Sequence, residues 1–188
     1  MERTRVLLIN GSQHDEGTCR LIGLARELFE ADGLETDVLD PAVHRSADVY
    51  EKWLFAHAVM IIAPAGASTF AQHVKPPIDR LTAAGYTAHF AERAYGVVVH
   101  GHSTAIDSTR YLLTGWLDGM GMVDSDSFAT LDRHLGYREG DAAEAPNDGE
   151  ANCHDEVRNV ARAVRNAVTE LRAGRLSPLD RRQAPCTA

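Results

Sequence analysis

Three short apolar runs without internal period, Arg5 to Asn10 (RVLLIN), Ala58 to Ala63 (AVMIIA) and Tyr95 to His100 (YGVVVH), punctuate the chain. Each leads through a loop into a stretch with apolar residues at helical spacing. A strand that is apolar at successive positions has no face to offer water, so it belongs inside a parallel sheet covered on both sides. Strands alternating with helices in this way demand right-handed crossovers, which place helices on both faces.

The remaining elements fit the same frame. Gly17 to Ala31 carries Leu21, Leu24, Ala25, Leu28 and Phe29 on one helical stripe, with Gly33 as a stop signal. Glu35 to Leu39 is expected as a second strand and Val49 to Phe55 as a short helix. Val74 to Ala83 is expected as a helix with Pro76 and Pro77 in its first turn, where a missing amide donor costs little. Ser108 to Met120 follows as a helix, ended at Gly119 to Gly121, and Val123 to Thr130 as a fifth strand. The predicted architecture is α/β, a doubly wound five-stranded parallel sheet of order 2-1-3-4-5 with helices on both faces. Glu156 to Leu171 closes it as an amphipathic helix. Residues 1–172 are read as one domain, with 133–152 as an irregular insertion and 173–188 as a disordered tail.

Composition narrows the function classes. With 44% hydrophobic and 24% charged residues in 188, the chain reads as an ordinary globular protein. Nineteen Lys and Arg against 27 Asp and Glu give a net charge of -8, which opposes attraction to a nucleic-acid backbone. Cys19, Cys153 and Cys186 have neither disulfide-framework nor zinc spacing, and Val6 to Ile9 is too short for a signal or membrane segment. A cytoplasmic protein with no membrane or nucleic-acid partner is expected.

In an open parallel sheet, ligands bind beyond the carboxyl ends of the strands, where the strand order reverses. Three loops should meet there: Asn10 to Cys19, Pro64 to His73 and His100 to Asp107. The first places Ser12, Thr18 and Cys19 beside amides at a helix start, suited to a phosphate dianion with His14 as a further donor. The same Ser and Thr also suit simple helix capping.

GSQHDEGTCRLI, then AVMIIAP, then KPPIDRL, resembles the NADPH-dependent FMN reductase family of flavodoxin-like proteins over roughly residues 5 to 125. Lys75, Asp79 and Arg80 match that family's helix, and Tyr95 to Gly101 with Leu112 to Met122 match its fourth strand and the helix after it. The resemblance implies an FMN cofactor reduced by NAD(P)H, a small acceptor such as a quinone or free flavin, and a homodimer. It assigns Ser12, His14, Thr18 and Cys19 to the FMN phosphate. It sets the backbone of Pro64, Ala65, Gly66, Ala67 and Ser68, and of His100, Gly101, His102 and Ser103, beside the isoalloxazine ring. The chain departs from the family where Ala65, Gly66, Ala67 and Ser68 replace the usual Tyr, Trp or Asn, removing side chains that would pack on the ring. Cys19 stands for a hydroxyl residue and His14 for Arg or Lys, which makes the phosphate contact weaker and pH-sensitive.

Two alternatives stand beside this reading, the first resting on His14, His73, His100 and His102 in or next to the three loops. One is a flavin-free protein on this fold, with His100 or His102 as an acid or base in a histidine-lined pocket. The other is a non-catalytic binding protein. No metal is expected, because these histidines lack ligand spacing. A Rossmann dehydrogenase is disfavoured, since no GxGxxG opens a helix after a strand. Asp79 and Arg80 are read as structural ion-pairing residues, and Trp53 and Trp116 as packing residues.

Overall fold

The computed structural model describes residues 3–12, 15–40, 43–66, 70–101, 105–128 and 148–174. In chain order the strands and helices are β1 (Arg5–Asn10), α1 (Glu16–Ala31), β2 (Glu35–Leu39), α2 (Ser46–Leu54), β3 (Ala58–Pro64), α3 (Lys75–Ala83), β4 (Ala94–His100), α4 (Ala105–Gly119), β5 (Val123–Asp124) and α5 (Asp148–Arg172). The five strands form one sheet of order β2-β1-β3-β4-β5, every pairing parallel. The doubly wound order expected from the apolar runs is the order observed.

Alternation of side chains along each strand divides the core in two. Leu7, Ile9, Val59, Ile61, Tyr95, Val97 and Val99 face one way, against Trp53 of α2, Val74, Ile78 of α3, and Leu113 and Leu117 of α4. Val6, Leu8, Ala58, Met60, Ile62, Ala94 and Val98 face the other way, against Leu21, Ala25 and Phe29 of α1 and Val157, Val160 and Val164 of α5. Both tryptophans pack: Trp53 is fully buried, and its ring meets Trp116 edge-on at 5.8 Å.

Glycines end two helices in the same way. Gly33 (φ +77) donates to Glu30 while Leu34 donates to Phe29, and Gly121 (φ +75) donates to Asp118 while Met122 donates to Leu117. Both are six-residue closures in which a left-handed residue returns two amides to the last carbonyls of the helix.

Three expectations need correction. The fifth strand does not run to Thr130; it is two residues long. Asp124 then accepts the Asp126 amide at 2.9 Å, and Ser125–Phe128 turns as a 3-10 helix that leads the chain off the sheet. The last helix starts at Asp148 rather than Glu156, so it takes in the final residues of the stretch read as irregular. Its polar opening concealed the helical period. A π-helical turn, Phe70–Val74, precedes α3 and buries Phe70 and Val74 in the α2/α3/α4 core. Residues 129–147 and 175–188, which include most of the expected insertion and nearly all of the expected tail, lie outside the described residues. Among the described residues no helix is long and apolar enough to cross a membrane.

Gly96 sets how closely α5 can approach β4. A Cβ there would lie 2.5 Å from Val160 Cγ1 and 2.7 Å from Val164 Cγ2. Gly96→Ala is therefore expected to overpack this core and lower the unfolding free energy by about 1–3 kcal/mol in urea titrations. A change within experimental error would show that α5 shifts freely on the sheet.

Candidate functional site

β1 ends in the polar residue Asn10, which is only 3% exposed. Its side-chain carbonyl accepts the Ser12 amide at 2.9 Å and so starts the loop toward α1. Gly11 lets that loop lie against β3: its amide donates to Ile62 at 2.8 Å, and a Cβ on it would collide with Ala63 Cβ at 2.3 Å. Ser12 Oγ accepts the Asp15 amide at 3.2 Å, and Asp15 caps α1.

The cap is the centre of the site. Asp15 Oδ2 accepts both the amide of Thr18, at 2.6 Å, and its hydroxyl, at 2.7 Å. Thr18 is fully buried, and its Oγ1 also lies 2.7 Å from His100 Nε2 at the end of β4. Because the hydroxyl proton goes to the carboxylate, Thr18 Oγ1 is the acceptor toward His100, which fixes the proton of a neutral imidazole on Nε2. A directed chain results, from His100 Nε2 through Thr18 to Asp15. Gly17 leaves room for it, since a Cβ there would lie 3.2 Å from Asp15 Oδ2 and 3.5 Å from His100 Cε1.

The pKa shifts follow from these contacts. The two Thr18 hydrogen bonds hold the Asp15 carboxyl below the ordinary carboxylate range, overcoming a smaller opposing effect of burial. Burial lowers the His100 pKa, and the Asp15 charge 3.5 Å away offsets this only in part. At neutral pH the pair is an ionised carboxylate beside a neutral imidazole.

The loops after β3 and β4 are joined at their roots. Ala65 donates its amide to the His100 carbonyl at 2.9 Å, continuing the Pro64 to His100 pairing past the strand ends. Gly66 (φ +93) donates to Oγ1 of Thr109, a buried residue of α4, at 2.9 Å. Among the described residues, chain neighbours aside, nothing lies within 4 Å of where a Gly66 Cβ would stand, and Gly101 also has positive φ, +126.

No family model matches the chain, and no curated protein matches it. Solved structures do. A diflavin flavoprotein A3 from Nostoc sp. superposes with TM-score 0.54 at 14% identity, covering 94% of this chain and 100% of that one. A WrbA-like flavodoxin from Agrobacterium tumefaciens gives 0.52 at 18%, covering 92% and 99%. The fold is flavodoxin-like. A flavone reductase shares it at TM-score 0.50 and 16% identity, over 87% of this chain and 64% of that one.

Within this flavodoxin-like sheet the expected site residues are partly brought together. Ser12, Thr18, Pro64, Ala65, Gly66, His100 and Gly101 all sit at the carboxyl ends of β1, β3 and β4 or in the first turn of α1. Cys19 is exposed on α1, with Asn10 Nδ2 3.8 Å from its sulfur. His73 is exposed on the π-helical turn. His14, Ala67, Ser68, His102 and Ser103 lie outside the described residues. Asp79 pairs with Lys75, one turn earlier on α3, and accepts the Trp116 indole N–H at 2.7 Å. Among the described residues no group of three His, Cys, Asp or Glu is arranged to hold a metal ion.

Asn10, Asp15 and Thr109 organise the site without having been singled out in the sequence. Asp15 had a readable signal, an Asp three residues before a Thr at a helix start. Thr109 had none, because its partner is a main-chain amide 43 residues away.

Against the FMN that the resemblance implies, the two ends of the mouth differ. The Gly66 side offers main chain to a planar ring, with no described residue beyond its chain neighbours within 4 Å of a Cβ there. The helix end does not fit a phosphate dianion, because Asp15 already places a carboxylate on the Thr18 amide and hydroxyl.

Both lowered pKa values make the unfolded chain bind protons that the folded chain refuses, so stability rises with pH. The His100 contribution is present above about pH 6.5 and is lost below it; that of Asp15 is lost below about pH 4. The melting temperature of the wild type is expected to fall between pH 7.5 and 5. His100→Gln, which keeps a donor for Thr18, is expected to flatten that fall; an unchanged slope would remove His100 as its cause.

Proposed function

We propose that this chain is a flavin-dependent oxidoreductase that takes hydride from NAD(P)H and passes the electrons to a small acceptor such as a quinone or free flavin. The observation that carries this reading is the seat formed by Ala65, Gly66 and Gly101 where the β3 and β4 loops meet. It lies at the carboxyl end of the sheet, beside the β1/β3 junction where the strand order reverses. Structures called flavoprotein, flavodoxin and flavone reductase share the fold, which supports the reading.

A bound flavin supplies the redox chemistry, accepting hydride and releasing electrons. The chain's own part is positioning. The positive-φ glycines present main chain instead of side-chain bulk, and Thr109 fixes the direction of the Gly66 amide. His100 stays neutral at neutral pH, oriented through Thr18 and Asp15.

The hydrogen-bond chain from Asp15 to His100 favours a second reading, in which His100 works as an acid or base without flavin. An imidazole oriented by a partner that is itself held by a carboxylate has the layout of a general base.

Flavin fluorescence and thermal melts separate the two. Under the first reading, saturating riboflavin or FMN raises the melting temperature by about 5 °C or more, and the flavin-loaded protein oxidises NADH or NADPH in the presence of a quinone. If neither flavin moves the melting temperature and neither is quenched, the oxidoreductase reading falls and His100 chemistry takes its place.

A further inference from the structure

The loop between β1 and α1 brings its own anion to the place where a phosphate would be bound. Five of the seven described amides from Gly11 to Cys19, those of Gly11, Ser12, Asp15, Thr18 and Cys19, donate to acceptors within the chain: the Ile62 carbonyl, Asn10 Oδ1, Ser12 Oγ, Asp15 Oδ2 and the Asp15 carbonyl. Four of the five acceptors belong to this loop or to the strand end that launches it. A phosphate entering here would compete with Asp15 for the Thr18 amide and hydroxyl.

Charge acts in the same direction. Asp15 is ionised, Glu16 adds a second carboxylate in the first turn, and His100 contributes no positive charge at neutral pH. Among the described residues Arg20 is the cation near Asp15, and its effect there is the smallest of those acting on that group. Displacing Asp15 is not a ready escape. It removes the cap of α1, equivalent to roughly a five-fold loss of affinity, and takes from the buried Thr18 hydroxyl its carboxylate acceptor.

An uncharged, hydroxyl-bearing chain meets the opposite situation. The Asp15 side chain is 41% exposed, so its carboxylate can accept hydrogen bonds from ligand hydroxyls, which a phosphate dianion has no protons to donate. We infer that this mouth selects flavins that lack the 5′-phosphate, holding the ring at Gly66 and the hydroxylated ribityl chain beside Asp15. The inference rests on the flavin reading above and specifies its ligand: riboflavin-type, exchangeable, and not retained through a phosphate.

Fluorescence titration of wild type and Asp15→Asn with riboflavin and with FMN tests it. Asn keeps a side-chain oxygen for the Thr18 amide and is itself a favoured cap, so α1 is retained. In the wild type, riboflavin is expected to bind at least about three-fold tighter than FMN. In Asp15→Asn, FMN is expected to tighten about ten-fold or more while riboflavin changes by less than about three-fold. Asp15→Ser, another good cap without charge, should repeat the gain and guards against a folding defect in the first variant. A wild type that binds FMN tighter than riboflavin, or a failure of FMN to tighten in both variants, overturns the inference and leaves the flavin reading standing. Binding of neither flavin by any of the three proteins overturns both.

Discussion

Val6 to Ile9 and Val59 to Ile62 have no exposed surface at all, and a strand with no wet side must be covered by a layer above and a layer below. From that constraint the rest follows. Chain connections that cover both faces of a parallel sheet must cross over it, and right-handed crossovers in both directions from a central strand reverse the winding between β1 and β3. The reversal parts the helices at one end of the sheet. The mouth of the molecule is therefore a result of covering the core, and its chemistry is written by the loops that happen to open there.

Those loops hold an unusual balance. A helix start is the natural place for an anion, and the fold would leave it to a ligand. Here Asp15 fills it, is held there by two bonds from one threonine, and is linked through that threonine to a histidine on the far side of the sheet's midline. The donor atoms that would make an anion site are present; their acceptor is simply covalent.

Fold was legible in the sequence because it is set by residue type averaged over many positions. Unpatterned runs such as AVMIIA can only be doubly buried strands, and Gly33 and Gly121 marked their helix ends through a backbone conformation few other residues adopt. Misreadings arose where a polar segment kept a regular backbone, as at Asp148, or where a side chain turned the chain early, as Asp124 does at the end of β5. The site was legible by location and not by wiring. Ser12, Thr18, Gly66 and His100 could be named from their places beside strand ends. That Thr18 is spoken for by Asp15 and His100 depends on an 82-residue separation closing to 2.7 Å, which no local pattern encodes.

The division of the core has an evolutionary corollary. Asp15 and Thr18 ride on α1, which packs with α5 in one apolar cluster, whereas Thr109 and the Gly66 turn hang from α4 in the other. The two halves of the mouth thus rest on separate foundations, divided by the sheet itself, and substitutions in one foundation share few neighbours with those in the other. A lineage can rework the end that meets charge while the end that meets a flat ring stays as it was. The His100 to Thr18 bond is a seam where such independent histories have to agree.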